Sequence, residues 1–224
     1  MRDHARLRRT IAALGLLLAV ASPSAVRAEG HDPVLLVHGW RGGAGDWAVM
    51  VQRFVDEGSG REVVTVQLPG QDNVANAAAI SSLVTSHGWS RFDLVGVSMG
   101  GLSARYFVKT LGGTATVDSY VSLGTPQYGI WAACLLSQSR GGQMCPSSSF
   151  LRSLNRGDDT PGSVRYMTLT SPSDTTVPSS STRLDGGACF VSVPGVVHTA
   201  YEENETVFAR VVSAIDGGCP GTFQ

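Results

Sequence analysis

The chain is poor in charge: Asp, Glu, Lys and Arg make up 16% of its 224 residues, and the formal net charge is −1. With no excess of basic residues it carries no electrostatic footprint for nucleic acid. Beyond residue 21 it has no further apolar run long enough to span a bilayer, so no transmembrane segment is expected. No C-x-x-C spacing occurs among its 4 cysteines, which argues against a zinc site. Internal repeats and linker-like stretches are also lacking, so no second domain is expected. What remains is a globular composition, 42% hydrophobic, on a chain long enough to bury one full α/β core.

The N-terminus reads as a targeting segment. Arg2, Arg6, Arg8 and Arg9 form a positive region, Ile11 to Ala21 an apolar one, and Val26-Arg27-Ala28 a small-residue cleavage site. Residues 1–28 are therefore expected to be a secretory signal peptide, with a mature, extracellular chain from 29 to 224. The Arg8-Arg9 pair hints at a twin-arginine route, but the rest of that motif is poorly formed, and ordinary secretion is favoured. An exported chain with an even number of cysteines is expected to carry disulfides. Cys134, Cys145, Cys189 and Cys219 all lie in the C-terminal half. Sequence order favours Cys134–Cys145 and Cys189–Cys219, although three pairings are open in principle.

Apolar runs alternate with helical patterns, the signature of a mostly parallel sheet with helices on both faces. Strands are expected at Val34–Val37, Val63–Gln67, Leu94–Val97, Tyr120–Leu123, Tyr166–Leu169 and Cys189–Val193, giving a sheet of about six strands. Helices are expected at Trp47–Asp56, Asn73–Ser86, Gly101–Leu111 and Glu202–Ile215. Within the last, Val207, Phe208, Val211, Val212 and Ile215 keep helical spacing and need no role beyond covering the sheet. Residues 126–162 break the rhythm. That Ser-, Gly- and Arg-rich stretch is too long for an ordinary connection and reads as a disulfide-bearing insertion, either a lid or pocket wall or a plain surface excursion.

The chemistry centres on Gly96-Val97-Ser98-Met99-Gly100, which follows an apolar strand and opens onto a helical stretch. Strand, sharp turn and helix are what a nucleophile elbow requires, with small residues at Gly96 and Gly100 where a Cβ would clash. The pattern alone is weak in a chain with 27 glycines. Two further residues give it meaning. His198 lies in a Gly-containing loop after the last expected strand; His4 falls in the leader, His31 at the mature terminus, His38 directly after the first strand, and His87 at a helix end. Asp174, just past the Tyr166–Leu169 strand, satisfies the order Ser…Asp…His. Asp158 and Asp159 precede that strand, and Asp185, in what reads as a turn, is the main rival.

These segments sit among others: Pro33-Val34-Leu35-Leu36-Val37-His38-Gly39 followed by Gly42-Gly43; Val121-Ser122-Leu123-Gly124-Thr125-Pro126; Arg183-Leu184-Asp185-Gly186; and Gly195-Val196-Val197-His198. In that order, from about residue 32 to 216, they resemble the small secreted bacterial lipase A family, class 2 triacylglycerol lipases on a minimal α/β-hydrolase fold. The resemblance implies Ser98, Asp174 and His198 as nucleophile, acid and base, and the amides of Trp40 and Met99 as oxyanion donors. It implies no metal or organic cofactor, an ester or lipid substrate met at a lipid–water interface, and a monomer. Members often carry alanine where this chain has Gly96. The cysteine-bearing insertion has no counterpart in the shortest, lidless members, so the substrate range stays open. An acyl groove is expected along Trp40, Met99, Tyr128, Ile130, Trp131, Val177 and Val197, while Trp47 and Trp89 read as packing residues. Esterase, phospholipase, polyester hydrolase and acyltransferase would all use the same three residues. A binding protein that had lost catalysis would be expected to lack one of them, and all three are present.

Overall fold

The computed structural model describes residues 30–224, so the expected leader lies outside the described residues. Among the described residues, seven strands form one sheet in the order β2-β1-β3-β4-β5-β6-β7. These are β1 (Val34–Val37), β2 (Val63–Val66), β3 (Phe92–Val97), β4 (Val117–Leu123), β5 (Arg165–Thr170), β6 (Cys189–Ser192) and β7 (Thr222–Phe223). All neighbours are parallel except β6 and β7. The seventh strand, antiparallel and exposed, adds to the six expected from the sequence. Two exposed residues present no apolar run to read; they pair with Cys189 and Phe190 of β6.

Alternation along each buried strand divides the core in two. Val34 and Leu36 of β1 join Val95, Val97, Val121 and Leu123 on one face, under α1 (Ala48–Glu57) and α5 (Glu205–Ile215). Leu35 and Val37 join Phe92, Leu94 and Tyr120 on the other, under α2 (Asn73–His87) and α3 (Met99–Thr110). The expected packing residue Trp47 is fully buried in the first layer, and Trp89 packs partly buried against the second. Two helices begin more than one residue from the expected start. The α5 helix starts at Glu205 because the Asn204 side chain accepts the Val207 amide at 3.1 Å and caps it. The α3 helix starts at Met99, directly after Ser98.

Register aligns the carboxyl ends of the central strands. Val37 of β1 faces Gly96, and Val97 faces Leu123, which faces Leu169 of β5. The loops after β1, β3, β5 and β6 therefore gather along one edge, where open α/β sheets bind their ligands.

Residues 126–162 cover that edge with three short 3-10 turns and the six-residue helix α4 (Ser149–Leu154), which is too short for its periodicity to stand out in the sequence. Side chains fasten this excursion. Fully buried Arg105 of α3 donates to Asn155 Oδ1 at 2.6 Å, to Gln127 Oε1 at 3.3 Å and to Asp159, which also accepts the Tyr128 hydroxyl. Gln143 accepts from the Asn73 amide and side chain at 2.7 and 2.9 Å. Met99 and Leu102 pack beneath Met144, Phe150, Leu151 and Leu154. Disulfides join Cys134 to Cys145 within the excursion and Cys189 to Cys219 beside β7.

Candidate active site

Three residues far apart in sequence meet at the carboxyl edge. Ser98 Oγ lies 3.0 Å from His198 Nε2, and His198 Nδ1 lies 2.8 Å from Asp174 Oδ2. Strand β3 delivers the serine into a sharp turn. The strained backbone falls on Ser98 itself, at φ 53°, whereas Gly96 and Gly100 have no positive φ. Those glycines serve by lacking a Cβ. One at Gly100 would stand 2.2 Å from the His38 carbonyl oxygen, and one at Gly96 2.7 Å from the Gly101 backbone. Close approach of α3 to β1 and β3 is what requires glycine at both positions.

Asp174 is positioned by four donors. Its Oδ1 accepts the amides of Thr176 and Val177 at 2.8 and 2.9 Å; its Oδ2 accepts from His198 and from the Tyr201 hydroxyl, the latter at 3.1 Å. Burial alone would raise its pKa, but the hydrogen bond from His198 and the two amides outweigh it and hold the carboxyl below its ordinary value. Since an ionised carboxylate only accepts, His198 Nδ1 carries the proton, which leaves Nε2 as an acceptor facing Ser98.

The other sequence candidates lie elsewhere. His38 is buried, and its Nε2 accepts the Leu68 amide at 3.0 Å, so its Nδ1 donates to the Gly39 carbonyl at 3.0 Å. It fixes the turn after β1, with both ring nitrogens engaged there. Asp159 is engaged by Arg105, and Asp185 is exposed in a turn. Met99 begins α3, so its amide is one that the helix's own carbonyls do not reach. Trp40, in the turn after β1, is 37% exposed, with its indole donating to the Arg140 carbonyl at 3.0 Å.

A cleft of about 490 Å³ opens over the serine. Ser98, His198, Trp40, Ile130, Met144 and Thr176 line it, together with Arg41, Asp46, Glu202 and Glu203. An adjoining groove of about 480 Å³ shares Ile130 and Thr176 and runs past Tyr128, Trp131, Pro146 and Pro178, with no charged residue in its lining. Of the residues expected along an acyl groove, Met99 and Val177 are fully buried and line neither space, while Val197 is half exposed. Sequence reasoning missed Tyr201, Glu202 and Glu203. The available signal was spacing: they follow His198 by three to five residues, close enough for a short turn to bring them to its side. No group of acidic, histidine or cysteine side chains among the described residues could hold a metal ion.

A model of the alpha/beta hydrolase family matches residues 34–211. Among solved structures, the mature lipase BlEst2 of Bacillus licheniformis superposes with a TM-score of 0.69 at 17% identity, over 87% of this chain and 96% of that one. Lipase B of Aspergillus fumigatus gives 0.73 at 20% identity over 86% of this chain and 54% of its own, so the chain spans about half the length of that protein. A thermophilic esterase of Thermogutta terrifontis gives 0.57 at 18% identity, over 84% and 90%. At these identities the likeness is one of fold.

Proposed function

The chain belongs to the alpha/beta hydrolase family, and from that premise we propose that it is a secreted serine hydrolase of carboxylic esters, acting on triacylglycerols. The observation that carries this reading is the hydrogen-bonded line from Ser98 through His198 to Asp174, assembled by three separate loops.

His198 Nε2 takes the hydroxyl proton as Ser98 Oγ attacks the ester carbonyl. The developing oxyanion is met by the amides of Trp40 and Met99, aided by the positive end of α3. The tetrahedral intermediate collapses as His198 returns the proton to the departing alcohol, leaving an acyl-enzyme on Ser98. Water, deprotonated by His198, then releases the acid. Asp174 holds the imidazole in one tautomer and stabilises its charged form.

Export is supported by the leader pattern over residues 1–28 and by two disulfides. Lipid as the substrate is supported by the motif set shared with small secreted lipases and by an apolar side chain lining the adjoining groove, Trp131, which is 75% exposed. A short-chain esterase is the second reading. It is favoured by the fastening of the excursion through Arg105 and Cys134–Cys145, which makes a fixed wall of that segment.

Hydrolysis of p-nitrophenyl esters from butyrate to palmitate separates the two. Activity reaching long chains supports the lipase, and activity confined to short chains supports the esterase. Ser98→Ala should lower kcat by about 10³-fold or more. Full activity in that variant overturns the assignment.

A further inference from the structure

The cleft is chemically lopsided. Around His198 it is walled by the carboxylates of Asp46, Glu202 and Glu203, with Arg41 the one lining guanidinium, drawn over the Trp40 ring at 4.6 Å. Arg53 also reaches this side, but it spends a donor on the Glu203 carbonyl at 3.1 Å. Past Ile130 and Thr176 the adjoining groove is uncharged. Glu202 feels its surroundings: burial first, then the neighbouring charges of Asp46 and Glu203, push its carboxyl above the ordinary value, while His198 draws it down.

The mechanism orients the substrate across this division, independently of the charges. His198 Nε2 must reach the alcohol oxygen to protonate it, so the alcohol part of the ester departs on the histidine side. The acyl part then extends towards Ile130 and the uncharged groove. We propose that Glu202 and Glu203 face the alcohol moiety and set its charge, so that esters of neutral or cationic alcohols are taken and esters whose alcohol bears an anion, such as a phosphate or sulfonate, are turned away. This specificity rests on the ester-hydrolase reading above and narrows it: an acylglycerol fits the acidic side, and an anionic phospholipid headgroup does not. Two carboxylates several ångströms from a bound charge, in a half-wet cleft, contribute about threefold in rate for each sign of substrate charge, and so about tenfold to the ratio between the two signs.

Three butyrate esters matched in size test it: those of choline, of 3,3-dimethylbutanol, its uncharged isostere, and of 3-sulfopropanol. Hydrolysis is followed by base uptake at low ionic strength, and the readout is the ratio of kcat/KM for the cationic ester to that for the anionic one. Taken within each protein, this ratio cancels differences in folded fraction. Wild type should favour the cation by about 30-fold or more, and the Glu202→Gln/Glu203→Gln double variant should reduce that ratio by about tenfold. Raising the salt to about 0.5 M should shrink the wild-type ratio in the same direction without any substitution. A wild-type ratio near one, or a ratio that survives both the substitution and the salt while the neutral ester is still cleaved, overturns the inference and leaves the hydrolase reading standing. Failure to cleave any of the three esters sinks both.

Discussion

Asp174 and Asp93 are both buried carboxylates, at opposite edges of one sheet, and they ionise in opposite directions. Asp174 lies at the carboxyl edge, where four donors converge on its two oxygens and hold its pKa down. Asp93 lies near the start of β3, 1% exposed, where burial pushes its pKa up to about 7. Ser119 helps it and Arg165 draws it down, but Asp118 and Asp32 repel, and its Oδ1 has no hydrogen-bond partner among the described residues. Burial is common to the two. What separates a carboxylate held below its ordinary pKa from one that takes up a proton near neutrality is the number of donors pointing at it. The surroundings of Asp174 hold a charge; those of Asp93 tolerate one poorly.

Two substitutions break this comparison. Asp174→Asn should have the larger effect. An amide cannot serve as the charged acceptor for His198 Nδ1–H, the imidazole loses its fixed tautomer, and kcat should fall by about 10³- to 10⁴-fold with the fold intact, measured by steady-state kinetics beside thermal unfolding. Asp93→Asn should instead alter stability. Because the folded pKa lies above the ordinary 3.8, the folded state binds a proton that the unfolded chain has released, and stability falls as pH rises from about 4 to about 7. Some three pH units at about 1.4 kcal/mol each give at most ~4 kcal/mol. The wild-type melting temperature should therefore drop across that interval more steeply than that of Asp93→Asn, which should be the more stable protein above pH 7. Parallel melting curves at every pH would contradict this account of Asp93.

The two edges also differ in how legible they are in the sequence. At the carboxyl edge, backbone constraints leave marks: small residues around Ser98, an apolar run before it, and Asp174 and His198 after late strands. The mostly parallel sheet with helices on both faces was readable for the same reason, since β1 and β3 are nearly continuous apolar runs. What could not be read depends on side chains meeting through space. Nothing near Arg105 announces Asp159, 54 residues on, and nothing at Glu202 announces Asp46 across the cleft. The seventh strand and α4 escaped because they are short, and the early start of α3 because the serine turn passes directly into the helix. The expected acyl groove was partly misplaced, because Met99 and Val177 turn inward.

The central claim is that Ser98 is the nucleophile of an acyl-transfer triad. The most direct measurement is covalent labelling with a p-nitrophenyl alkylphosphonate, followed by mass spectrometry of the digested protein. The account predicts one adduct, on the peptide containing Ser98, formed with release of p-nitrophenol and absent from Ser98→Ala. A label on another residue, or none on a folded protein, would contradict it.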